Sequence, residues 1–477
     1  MYKHDFRVED PGYFQTHYDR TKTSVGVVHL GVGSFHRAHQ AVYIDNFMDK
    51  SEQLGWAIAG VNLRRESSLD LRKLKQRNGE YFLKTLASNS DSRFQLVRSH
   101  KSFFDWTENP HDAEQIIAQP TVQIISVTVT ESGYLLGEDG LLDVDKVLNK
   151  SMSKGHDDGT VYEYLMKALK RRKDLCKLPL TVLCCDNLRD NGNMLRRNME
   201  LYLEAFGEKD LNAWMQDNVS FPSSMVDRIT PKPIQFHSQE VEKKFGIRND
   251  FTIHSEDFIQ WVITDDFRGQ RPELELAGVS FVKDVSPYEE AKIRILNGSH
   301  LGLVHLAALK GFDTYDEAVI DPELSTFFDL LLEKEVIPTL DQNSPIDLKA
   351  YAGSVKKRFQ NWQIADGLPR IAMDGYSKFR QFLLPTLEGC FDRGINPECS
   401  IKSVACWYVL LKKVVDGSSS FNYQDPYFSF LKPYLQPGME QQFARIPEIW
   451  CDLPQRHPEF PKLVEAEIKH FLNRFKE

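Results

Sequence analysis

The sequence predicts an α/β chain in two domains: strands alternating with helices over residues 1–284, then a mainly α-helical domain over 285–477. Three observations predict it. A short apolar run, Val25 to Leu30, leads into the glycine turn Gly31-Val32-Gly33 and then a helix. Further apolar runs end in polar or glycine residues, as the strands of a parallel sheet do at their ligand-binding ends. Beyond Asp284 the apolar residues change to helical spacing. A chain of 477 residues also exceeds one ordinary domain, so two are expected.

The elements follow in order. Val25 to Leu30 reads as a buried strand, the turn opens a helix through about Met48, and Trp56 to Val61 is a second strand. This is a β-α-β unit. Val122 to Val129, rich in β-branched residues, is a third strand and ends in Thr130-Glu131-Ser132-Gly133-Tyr134. Leu180 to Cys185 is a fourth and ends in Asp186-Asn187. The polar strand ends are expected to converge around one nucleotide. Lys150 to Gly159 reads as a surface loop. Phe221-Pro222 and Ile229-Thr230-Pro231 read as irregular, because each proline biases its predecessor away from helix. Ser286-Pro287-Tyr288-Glu289 carries a helix start, with serine as N-cap and glutamate three residues on. That helix runs to about Leu309, where Gly311 stops it; Leu324–Val336, Val404–Val415 and Leu463–Phe475 are further helices.

Composition excludes several classes of function. Hydrophobic residues make up 41% and charged residues 27%, as in soluble globular proteins. A net charge of −9 weighs against nucleic acid, which needs a basic face. No apolar run is long enough for a membrane span, and the polar stretch Met1 to Tyr13 does not read as a signal peptide. Seven cysteines without a C-x-x-C pair suggest a reducing, cytoplasmic setting with no structural disulfides. Cysteine and histidine spacings give no zinc signature, and His36 with His39 is the nearest approach to a metal pair, so no metal is expected.

The residues that carry chemistry lie in two places. Gly31 permits the tight turn and Gly33 lets the backbone approach a pyrophosphate, while His36 stands where the third glycine of the usual fingerprint belongs. For ribose recognition Glu52 has the spacing but precedes the second strand. After that strand, Glu66 suits ribose hydroxyls and hence NAD, whereas Arg64 or Arg65 suits the extra phosphate of NADP; NAD is favoured and NADP stays open. The second place is Lys292-Ile293-Arg294-Ile295-Leu296-Asn297-Gly298-Ser299-His300. At about 100° per residue, Asn297 lies roughly 140° around the helix from Lys292 and His300 about 80°, so all three can face one cleft. A lysine that is ammonium in water becomes a base when burial disfavours its charge. An asparagine amide can donate to a developing alkoxide, and an imidazole can hold a substrate hydroxyl. Each also has an ordinary structural role: a solvated lysine, a packing kink beside glycine, a satisfied core histidine. The capping box already accounts for Glu289.

Several segments together carry a resemblance. Gly31-Val32-Gly33-Ser34-Phe35-His36-Arg37-Ala38-His39, Thr128-Val129-Thr130-Glu131, Cys185-Asp186-Asn187-Leu188 and Phe221 to Pro231 resemble the polyol-specific long-chain dehydrogenases, the mannitol dehydrogenase family. The lysine helix resembles that family's catalytic signature, and Asp374-Gly375-Tyr376-Ser377-Lys378 its C-terminal segment, with tyrosine at 376 where serine is more usual. The matches run from about residue 25 to 385. The resemblance implies a Rossmann-like N-terminal domain, a helical C-terminal domain and a site between them. It implies Lys292 as general acid/base, Asn187 and Asn297 on the reacting oxygen, His300 positioning substrate, and Glu289 relaying protons. Asp227, Arg370 and Lys378 match substrate-side positions, and Gly31, Gly33, Phe35, His36, Arg37, Glu66, Thr130 and Glu131 fall on the cofactor side.

The expected protein is a metal-independent oxidoreductase, frequently a monomer in such families or else a weak oligomer. It interconverts a sugar alcohol and its ketose, of the D-mannitol/D-fructose type, with NAD or NADP. A hexuronate reductase acting on fructuronate or tagaturonate is the runner-up, because Arg370 or Lys378 suits a carboxylate. A catalytically silent nucleotide-binding redox sensor is the alternative of another class.

Overall fold

The computed structural model describes residues 12–88, 92–137, 140–152, 159–248 and 252–476. The chain divides into two compact units, Met1–Ser286 and Pro287–Glu477.

The first unit is built on a six-stranded, wholly parallel sheet. Its strands are β1 (Val25–Leu30), β2 (Ala57–Asn62), β3 (His100–Asp105), β4 (Ile124–Val127), β5 (Leu180–Cys184) and β6 (Val219–Ser220). They lie in the order β3-β2-β1-β4-β5-β6, that of a doubly wound dinucleotide-binding sheet. β1 pairs β2 on one side and β4 on the other, so the strand order reverses between β1 and β4. Both faces are covered, which is why these strands read as continuous apolar runs and not as alternating ones. Val28, Leu30, Ile125 and Val182 pack on one side with Tyr162 and Leu165 of the helix Val161–Leu175. Val27, Ile58, Ile124 and Leu183 pack on the other with Ile44 and Phe47 of the helix Gln40–Ser51.

Four of the six strands coincide with the apolar runs. β3, with the polar sequence His-Lys-Ser-Phe-Phe-Asp, lies at the sheet edge and lacks the buried-strand pattern. β6 has two residues and carries no periodicity. Two smaller sheets also escaped the reading, one of Phe14–Gln15, Arg93–Val97, Tyr81–Leu86 and Ile253–Glu256, the other of Ser224–Asp227, Gln260–Thr264 and Ser280–Val282. Ile253-His254-Ser255-Glu256 shows the reason: three of its four residues are polar, yet all four are buried. The helix expected through Met48 is broken, with Ser34–Ala38 separated from Gln40–Ser51 at His39 (φ −123°, ψ −87°). The expected loop at Lys150 begins as the end of a helix, Val144–Met152, and 153–158 lie outside the described residues, as does most of Met1 to Tyr13.

Among the described residues the second unit is helical apart from one isolated bridge, Thr314 to Gly367. The helix Glu398–Val415 packs on both Gly298–Leu309 and Phe460–Arg474. Close approach is allowed at Gly302, where a Cβ would meet Leu331 at 2.6 Å; the Ser403 hydroxyl donates to the Gly302 carbonyl at 2.7 Å. Three segments are π-helical: Lys292–Asn297, Leu331–Val336 and Phe379–Leu383. Pro338 and Pro385 follow the latter two, and a ring without an N–H forces the hydrogen-bond ladder to skip. Lys292–Asn297 has no proline behind it. The serine expected as N-cap, Ser286, is instead the first helical residue, and its amide donates to Asp284 Oδ1 at 2.9 Å. No helix among the described residues is long and apolar enough to cross a membrane.

Candidate active site

In the first unit the ends of β1, β2, β4 and β5 are tied together by their own loops. Gly31, with φ +89°, follows β1, and a Cβ there would stand 2.0 Å from the Thr128 carbonyl at the end of β4. Only glycine fits that approach. A Cβ on Gly33 would meet nothing closer than the Gly31 carbonyl at 4.0 Å, so this exposed backbone stays open to a ligand. Thr128 Oγ1 donates to the Gly31 carbonyl at 2.9 Å. Arg64, beyond β2, donates to the Val129 carbonyl at 3.4 Å, and the Asp186 carboxylate, beyond β5, accepts from the Val129 and Thr130 amides. The residues present thus fit a dinucleotide at the switch point: an open glycine backbone beside a knitted loop cluster.

The cofactor-side candidates divide by placement. Gly33, Glu66, Thr130 and Glu131 are exposed, and Phe35 is half-buried and stacks on His39. Glu66 pairs with Arg64 at 3.5 Å, so the two rival ribose signals stand side by side. Arg37 is buried, its Nε directed at the Gly33 carbonyl at 3.3 Å. His36 turns inward: its ring stacks on His29 at 3.3 Å and its Nε2 meets His100 Nε2 at 3.0 Å, which leaves only its backbone for a ligand. His29 in turn reaches Ser126, Thr128 and the Gly31 carbonyl. Burial holds His29 down to about 3, and His36 and His100 well below the ordinary imidazole value. His39 Nε2 faces the Gln260 carbonyl at 2.8 Å, so His36 and His39 do not converge as metal ligands. Asn187 is exposed at the end of β5, and Asp227 is buried on the strand Ser224–Asp227.

In the second unit Lys292 is 8% exposed. It opens a π-turn in which the Gly298 amide donates to the Ile293 carbonyl, five residues back. In a ladder that closes at i→i+5, residues 292 and 297 stand about one turn apart. Asn297 is therefore nearer in angle to Lys292 than the roughly 140° of a regular helix. Arg294 fixes the turn, donating to Thr386 Oγ1 at 2.9 Å and Thr339 Oγ1 at 2.6 Å and pairing with Glu290 at 3.0 Å. Glu289 is buried three residues before Lys292.

His300 is clamped between Phe359, stacked at 4.5 Å, and Tyr315, edge-on at 4.3 Å; its Nε2 is buried without a hydrogen-bond partner. Burial, then the positive charges of Arg370, Lys378 and Arg358, hold its pKa well below the ordinary value, so the imidazole is neutral. Arg370 and Lys378 thus lie near enough to His300 for their charges to act on it. Arg370 is paired with Asp366 through two nitrogens, and Lys378 donates to the Ile371 carbonyl at 3.0 Å. Tyr376, the departure from serine, stacks on Tyr427 at 4.3 Å. The preceding Gly375 is demanded by the Tyr423 hydroxyl, 2.5 Å from where its Cβ would be. Tyr315, Phe359 and the Arg294 clamp have no local motif, and nothing short of the fold identifies them. Asp186 could have been found beside Asn187 at a strand end.

Two family models match the chain. The model of the mannitol dehydrogenase Rossmann domain matches residues 25–276, and that of the mannitol dehydrogenase C-terminal domain matches 284–470. The chain is 37% identical to a D-arabinitol 4-dehydrogenase of Ralstonia nicotianae, over 84% of this chain and 86% of that one. It is 36% identical to a polyol:NADP oxidoreductase of Gluconobacter oxydans, over 78% and 76%. Among solved structures it resembles Pseudomonas fluorescens mannitol 2-dehydrogenase, in a ternary complex with NAD and D-mannitol. The TM-score is 0.83 at 32% identity, covering 97% of both chains.

Proposed function

We infer the reaction from one premise: this chain belongs to the mannitol dehydrogenase family and is an NAD(P)-dependent polyol dehydrogenase. We propose that it interconverts a linear sugar alcohol of the D-mannitol type and the corresponding ketose, with NAD as the preferred cofactor. The observation that supports the reading is the π-turn, which opens on a buried lysine and ends at Asn297, with a neutral imidazole whose Nε2 is unpartnered three residues on.

Lys292, in its uncharged form, takes the hydroxyl proton as the alcohol is oxidised and returns it in reduction. The Asn297 amide donates to the oxygen as negative charge develops there. Asn187 is assigned the same role from its match to the family pattern. His300 Nε2 holds a neighbouring substrate hydroxyl, and Asp227, Arg370 and Lys378 complete the substrate side. Glu289, one helical turn before Lys292, relays the proton. A bound nicotinamide would supply the hydride acceptor for the oxidation. Gly31, Gly33, Phe35, His36, Arg37, Glu66, Thr130 and Glu131 are the residues that would hold the dinucleotide. The pairing of Arg370 with Asp366 leaves less of that guanidinium for a substrate carboxylate, which weighs towards a neutral polyol over a uronate.

A steady-state screen tests the proposal. D-mannitol, D-arabinitol, D-sorbitol and aldonates are each offered with NAD and NADP, and reduced nicotinamide is followed by absorbance. Turnover on D-mannitol above the other polyols, and none on aldonates, is expected. Faster turnover on an aldonate would overturn the polyol reading, and cofactor binding without any turnover would favour the sensor.

A further inference from the structure

Asp186 follows β5 directly and precedes Asn187. Its carboxylate accepts three hydrogen bonds: from the Val129 amide at 2.8 Å, the Thr130 amide at 3.1 Å and the Tyr134 hydroxyl at 2.6 Å. All three donors belong to the segment after β4, so a side chain at one strand end holds the loop of the neighbouring strand. That loop is strained. Thr130 has φ +67° and ψ 162°, a region that glycine alone occupies without cost, and Leu135 is left-handed at φ +50°. Such conformations persist only where the surroundings over-determine them.

The anchors on either side of Thr130 are firm. Two residues before it, Thr128 donates to the Gly31 carbonyl of the glycine turn. Four residues after it, Tyr134 is fully buried and its carbonyl accepts from the Tyr162 hydroxyl at 3.0 Å. Asp186 is itself held from behind, its carbonyl accepting from the Asn191 side chain at 2.9 Å and from the Leu188 amide at 2.9 Å. Burial lifts its carboxyl to about 6, leaving it mainly ionised at neutral pH, as three donors require.

We propose that Asp186 is a positioning residue that latches Thr130 in its left-handed conformation, so that the loop 128–134 keeps the shape that receives the dinucleotide beside the glycine turn. The inference rests on the cofactor-side placement of that loop. It adds a residue that touches neither substrate nor reacting atoms but sets the affinity for cofactor.

The test uses the full chain and three variants, Asp186→Asn, Thr130→Gly and the double variant Asp186→Asn/Thr130→Gly. NADH affinity is read by quenching of tryptophan fluorescence, and loop order by hydrogen exchange over 129–135. Asp186→Asn should weaken NADH binding about tenfold, the scale of losing a hydrogen bond to a charged group. It should also speed exchange in the loop alone. Whatever Thr130→Gly itself costs, adding Asp186→Asn to it should cost little further affinity, because glycine takes that conformation without a latch. A purely structural role for Asp186 predicts the same loss in both backgrounds. Wild-type affinity in Asp186→Asn, or an equal loss from it in the Thr130→Gly background, overturns the latch. If Asp186→Asn does not fold, Tyr134→Phe, which removes one donor and keeps the ring, should give a smaller loss with the same exchange signature; unchanged exchange in that variant overturns the latch as well. Failure of the wild-type chain to bind NADH or NADPH would overturn the cofactor placement itself, a different result from either of these.

Discussion

Lys292 shows how much a residue's chemistry depends on its setting. The type and its neighbours Ile293, Ile295 and Leu296 are legible in the sequence, and 8% exposure supplies the burial that disfavours an ammonium. Replacing it with methionine keeps the volume and removes the base. Turnover of Lys292→Met should fall by about 10²–10⁴ or more, while NADH affinity stays near that of the unaltered chain. Stopped-flow single turnovers check this, and an undiminished chemical step would remove Lys292 from the mechanism. His300 makes the complementary point. Its identity is evident from the motif, but its neutrality comes from Phe359, Tyr315 and three cations distant in sequence.

At the scale of elements, the π-turn decides what Lys292 and Asn297 can do together. Regular-helix spacing leaves them roughly 140° apart, at the edges of one cleft; the ladder closing at i→i+5 narrows that angle. Arg294 is the clamp, buried and bonded to Thr339, Thr386 and Glu290. Arg294→Met should destabilise the second unit by about 2–3 kcal/mol through lost charge-assisted bonds, measured by urea unfolding, with a drop in turnover as the turn relaxes. Under the glycine turn, His29, His36 and His100 form a second device. Their folded pKa values lie below the unfolded value of about 6.5, so unfolding takes up protons at lower pH. Their stabilising contribution is complete above about 6.5 and is lost as pH falls towards the folded values, with a slope of about 1.4 kcal/mol per pH unit for each. His100→Gln should therefore lose stability less steeply than the unaltered chain between about pH 6.5 and 4. Parallel slopes in urea midpoints would show that His100 is not part of that uptake.

At the scale of the whole molecule, the two units carry separate parts of the chemistry: glycine turn and knitted strand ends in one, lysine turn and clamped imidazole in the other. NADH at about 100 times its dissociation constant should stabilise the chain by about 2.7 kcal/mol, with hydrogen exchange slowed in Met1–Ser286. No protection around Gly31 and Thr128 would sink the nucleotide assignment. The sequence by itself determined what is local: four of the apolar strands, the glycine turn after the first, four helical stretches from residue 286 onward, and the spacing of Lys292, Asn297 and His300. Those signals lie within a few residues of one another, where propensity and periodicity act. Only the tertiary structure decided the order β3-β2-β1-β4-β5-β6, the burial of the polar strand Ile253–Glu256, the π-turn, the histidine stack and the Asp186 latch. Each of these depends on partners tens to hundreds of residues away, such as Thr128 against Gly31 or Thr386 against Arg294, and contacts of that range leave no periodic trace in the chain.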